Sequence, residues 1–102
     1  MTLLLGFLAV SCSNTKSLVV HSSGISYLVE TDYPLSESEE AELRATALAQ
    51  LPERVTIVQV DLVAETGRKT AIVLWMYPPD HPDEYIKGTY FVREKWNWII
   101  RQ

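Results

Sequence analysis

Cysteine, glycine and histidine are scarce in this chain, and each scarcity removes a class of chemistry. One cysteine among 102 residues cannot close an internal disulfide or build a Cys-rich zinc site. The glycines, Gly6, Gly24, Gly67 and Gly88, are too few and too scattered to cradle a phosphate. The two histidines, His21 and His81, lie far apart, and no serine sits in a Gly-x-Ser-x-Gly elbow. Basic residues are the minority, nine against thirteen acids, and the net charge of -4 gives no general attraction to nucleic acid. What remains is an ordinary folding composition, 47% hydrophobic and 22% charged. At this length the chain supports one core and not two.

The first eleven residues carry no charged side chain, and Leu3 to Val10 form an apolar block interrupted only by Gly6. As a helix that block reaches roughly 12 Å at ~1.5 Å per residue, far short of a bilayer core of ~30 Å. It has the length and polarity of a signal-peptide apolar region. Leu8-Ala9-Val10-Ser11-Cys12 resembles the lipobox of bacterial lipoproteins, in which a small residue precedes the cysteine that becomes the lipidated N-terminus. Ser13-Asn14-Thr15-Lys16-Ser17 resembles the polar tether that follows. The resemblance implies acylation at Cys12 by palmitate-type chains. It also implies an envelope location, with Ser13 in place of a retention aspartate favouring the outer membrane, facing the periplasm. The competing reading makes Leu3 to Val10 a first buried strand and Cys12 an inert buried thiol. On the lipoprotein reading residues 1–11 are signal peptide, 12–24 are lipidated cysteine and tether, and 25–102 form one domain.

Leu18 to His21 is a short apolar run, and Ile25 to Tyr33 alternates as a strand closed by Pro34. Ser36 and Glu39 have capping-box spacing, with Glu37, Glu39, Glu40 and Glu42 crowding a helix start where the dipole favours anions. Leu43, Ala47 and Leu51 recur at i, i+4 and i+8, and Pro52 stops the pattern, which predicts a helix from Glu37 to Leu51. Val55 to Glu65 and Thr70 to Tyr77 read as a hairpin around Gly67. The loop from Pro78 to Glu84 holds three prolines and cannot pair regularly. Thr89 to Arg93 and Trp96 to Arg101 read as a second hairpin turning at Glu94-Lys95.

The expected fold is α+β, one helix packed on a curved antiparallel sheet in the order β-α-β-β-β-β. That order resembles the cystatin-like layout. Leu35 to Ala41, Ala47-Leu48 and Leu51-Pro52, followed by strands around Gly67, resemble the PepSY type of extracytoplasmic module. The ending Trp96-Asn97-Trp98-Ile99-Ile100 is closer to the last strand of NTF2-like lipoproteins.

Asp80-His81-Pro82-Asp83-Glu84 gathers four possible ligands, but a solvated acidic loop is the preferred reading and no metal site is assigned. No catalytic residue and no cofactor is assigned either. The aromatics carry the binding expectation: Trp75 and Tyr77 share a face of their strand, and Trp96, Trp98 and Ile100 share a face of theirs. The Thr70–Tyr77 strand is apolar on both faces while one helix covers one. Either the Leu18–His21 run and the proline loop close the second face, or an aromatic patch stays exposed. Between residues 30 and 65 nine acids face two bases, and between 85 and 102 four bases face one acid. A basic C-terminal hairpin with Lys87, Arg93, Lys95 and Arg101 would meet an anionic surface or acidic partner. The expectation is a small lipid-anchored, non-catalytic binding or adaptor module whose partner is an envelope protein. The alternatives are a peptidase inhibitor using the Gly67 turn and the second hairpin as a wedge, or a carrier holding a small ligand on the concave sheet face.

Overall fold

A computed structural model describes residues 16–20, 24–31, 33–65 and 67–101; the leader and Cys12 lie outside the described residues. Strands β1 (Lys16–Val20) and β2 (Ser26–Glu30) precede helix α1 (Glu37–Gln50), and β3 (Thr56–Val63), β4 (Thr70–Met76), β5 (Lys87–Glu94) and β6 (Asn97–Ile100) follow it. The six strands form one sheet in chain order, antiparallel throughout. The class is α+β, one helix against an antiparallel sheet, in the order β-β-α-β-β-β-β.

The strand missing from the sequence reading is β1. Residues 16–20 were expected in the tether, yet they pair with β2 over five positions. Lys16 and Ser17 are polar, so local composition reads as linker. The strand is held by tertiary contact, with Val19 packed against the cluster of Tyr27, Val63, Ile72 and Leu74.

Helix α1 forms where its caps and charges place it. The Ser36 hydroxyl accepts from the Glu39 N–H at 3.1 Å, and the Ser36 N–H donates to the Glu39 carboxylate at 3.3 Å. This reciprocal box satisfies two otherwise unpaired donors. Leu43 and Ala47 are fully buried against Val73, Trp75, Phe91 and Trp98. Two ion pairs clamp the rims: Lys69 Nζ to Glu39 at 2.8 Å, and Arg93 to Glu42 at 3.2 Å.

Both faces of β4 are covered. Ala71, Val73 and Trp75 meet the helix, while Ile72 and Leu74 are buried on the other side by Tyr27, with Val19, Ile25, Val29 and Ile86 packed around them. The closure follows from how β2 leaves the sheet. β2 registers with β3 only at Val29 and Val63, and the chain then crosses the second face until Ile25 reaches Gly88 on β5. A Cβ at Gly88 would stand 3.2 Å from Ile72 Cδ1 and 3.6 Å from Ile25 Cδ1, so glycine permits the close approach. A bulge between Ile57 and Gln59 adds bend to β3.

Candidate functional site

The proline loop between β4 and β5 is built by local bonds, despite its lack of strand pairing. The His81 N–H donates to the Pro78 carbonyl at 2.9 Å and closes a turn. The Asp83 N–H donates to His81 Nδ1 at 3.0 Å, and the Tyr85 N–H donates to the Asp83 carboxylate at 3.0 Å. The His81 ring stacks on Tyr77 with centroids 3.8 Å apart and planes 9° from parallel. Tyr77 in turn meets Trp75 edge-on at 5.1 Å, and Trp75 is fixed by donating its Nε1–H to Thr89 Oγ1 at 2.9 Å. A chain of rings thus runs from the core into the loop, each ring limiting the next.

At the root of this loop lies a cleft of about 400 Å³, lined by Thr56, Met76, Tyr77, Pro78, Pro79, Asp83 and Glu84. Its walls are apolar and its rim carries two carboxylates. Lys87 Nζ pairs with Asp83 at 2.7 Å, and that bond, with the Tyr85 N–H, holds the Asp83 carboxyl below its ordinary value. Glu84 is exposed and makes no ion pair with a described residue. The cleft suits an apolar side chain followed by a cation.

The four aromatics expected to bind do not form one surface. Trp75 is 6% exposed and packs beneath the cleft, and Tyr77 lines it. Trp98 is 2% exposed within the helix-side core, where its Nε1–H meets no acceptor among the described residues. Trp96 is 81% exposed. It does not share a face with Trp98 and Ile100, because the hairpin turns one residue later than expected. Glu94 pairs with Asn97, Lys95 takes φ 53°, and Trp96 falls in the turn. Sequence alternation alone could not reveal that shift, since Glu94-Lys95 and Lys95-Trp96 both leave plausible strands.

The basic hairpin is not an open cationic surface. Lys87 is held by Asp83, Arg93 by Glu42, and Arg101 by both Glu65 oxygens at 2.9 and 2.8 Å. Arg93 also lies over the Trp98 ring and Arg101 over Tyr90. Only Lys95 of the four makes no ion pair with a described residue. The acidic and basic segments of the sequence complement each other inside the fold.

A second polar cluster sits between β2 and β3. The Tyr27 hydroxyl donates to Asp61 Oδ2 at 2.5 Å, and Gln59 Nε2 donates to the same oxygen at 2.5 Å. Burial, then the bond to Asp61 and its charge, push the Tyr27 hydroxyl well above its usual 10.0. Its inward bonds mark it as a structural tie.

Among the described residues no three His, Cys, Asp or Glu side chains are placed to hold a metal, and no helix is long and apolar enough to cross a membrane. No protein-family model matches the chain, and no curated protein or solved structure matches it.

Proposed function

We propose that this chain is a small envelope lipoprotein, acylated at Cys12, whose folded domain is a non-catalytic adaptor that takes a partner segment into the proline-loop cleft. The supporting observation is the contiguous ring series Trp75, Tyr77 and His81, edge-on and then stacked, beside an apolar cleft at one end of the sheet. Preorganised walls lower the ordering cost of binding. The rim carboxylates favour a segment with an apolar residue beside a lysine or arginine. Co-purification from detergent-solubilised membranes tests this: Glu84→Lys, an exposed change, should lose a protein that the wild type retains. Equal recovery with both would overturn the cleft assignment. Incorporation of a fatty-acid analogue should disappear in Cys12→Ala.

A second reading, an inhibitor of an extracytoplasmic peptidase, draws on the turns at the other end of the sheet. Arg68 and Glu94 pair there and join the β3–β4 and β5–β6 turns into one edge, with Trp96 beside them. A peptidase panel decides between the two readings. Inhibition that Trp96→Ala abolishes would put the inhibitor first.

A further inference from the structure

Strand register shows which end of the sheet the anchor enters. Ser17, Val29, Val63, Thr70, Val92 and Ile99 form one continuous row across all six strands. Lys16 lies one step beyond that row. So do the β3–β4 turn with Gly67 and Arg68, and the β5–β6 turn with Lys95 and Trp96. The proline loop and its cleft lie at the opposite end, past the pairing of Trp75 with Lys87.

Four residue steps separate Cys12 from Lys16. Fully extended at ~3.6 Å each they span at most about 14 Å. An acylated Cys12 therefore holds this end of the sheet close to the headgroups. That end presents an indole 81% exposed to solvent, with Lys95 next to it in the turn. An aromatic ring with a polar edge, flanked by a cation, is the side-chain chemistry favoured at a bilayer interface.

We propose that the Lys95–Trp96 turn docks on the membrane, Trp96 entering the headgroup layer of the leaflet that holds the Cys12 acyl chains and Lys95 meeting its anionic lipids. The proposal rests on acylation of Cys12. It stands the strands upright and turns the cleft away from the bilayer, where a partner can reach it.

Tryptophan fluorescence of the acylated full chain in phosphatidylcholine–phosphatidylglycerol vesicles with brominated acyl chains tests it. Trp75 and Trp98 are buried, so the exposed emission belongs to Trp96. The expected result is a blue shift and quenching by lipid bromine, both lost in Trp96→Phe. Lys95→Gln should weaken the shift on anionic vesicles and leave it unchanged on neutral ones. A Trp96→Phe/Tyr85→Trp variant moves the indole to an exposed site on the proline loop and should not be quenched. Quenching at that site, or an unquenched Trp96 on a chain whose intact mass shows the acyl group, overturns the docking alone. A dimer that shields Trp96 from aqueous quencher in lipid-free buffer overturns it in favour of a second copy. An unmodified Cys12 on a chain that does not float with vesicles removes the anchor and the docking together.

Discussion

Tyr27 ties the crossing strand β2 to the body of the sheet. Its hydroxyl is buried and bonded to Asp61, and its proton is held above the usual tyrosine range. A raised pKa means the neutral form is favoured on folding, so this contribution is complete below pH 10.0 and is lost as pH rises beyond it. Thermal melts should therefore fall more steeply above pH 10 for the wild type than for Tyr27→Phe. At neutral pH that variant should lose about 1.5–3 kcal/mol, the range for a hydrogen bond to a charged group. Asp83 has the opposite sign. Its carboxyl is depressed from 3.8 by Lys87, so the pair's contribution is present above that value and is lost as pH falls below it. Loop protection in amide exchange should drop over the same acid interval, and Lys87→Met should weaken the dependence, leaving the part due to the Tyr85 N–H. The two buried tryptophans differ as well. Trp75→Phe leaves Thr89 without its donor, whereas Trp98→Phe removes an N–H that has no acceptor among the described residues. Urea melts should show the larger loss for Trp75→Phe.

The helix was legible in the sequence because its instructions are local. Ser36, Glu39 and Pro52 mark its ends, and Leu43 and Ala47 mark its buried side. Ser36→Ala should cost about 1 kcal/mol, the usual value of an N-cap. Strands β3 and β4 were legible by alternation and by Gly67. Strand β1 was not, since its polar first residues resemble a tether and its place in the sheet rests on pairing with β2. The late turn at Lys95-Trp96 was hidden because either turn leaves a plausible strand; the shift takes Trp96 out of β6 while Trp98 and Ile100 keep one face. Of the candidate site, Trp75 and Tyr77 were legible as neighbours at i and i+2. The His81 stack was not, because it depends on a loop wound by backbone bonds to Pro78 and Asp83. Gly88 gives a test at this scale. Gly88→Val meets Ile72, Leu74 and Ile25 and should cost about 1–3 kcal/mol, the range for overpacking.

At the scale of the whole molecule, the charges that looked like two separate surfaces largely pair with one another. Glu39 and Glu42 of the helix bind Lys69 and Arg93, and Glu65 binds Arg101. Exposed pairs of this kind contribute little individually and are screened by salt. High salt should therefore change the melting temperature only slightly. The two ends of the sheet differ: one carries the Lys95–Trp96 turn, and the other carries the cleft. Under the proposed acylation at Cys12, the first end faces the membrane. The most direct measurement is the intact mass of the native protein extracted from membranes. The account predicts a chain that begins at Cys12 and carries acyl groups. A chain that retains Met1 with an unmodified thiol would contradict it.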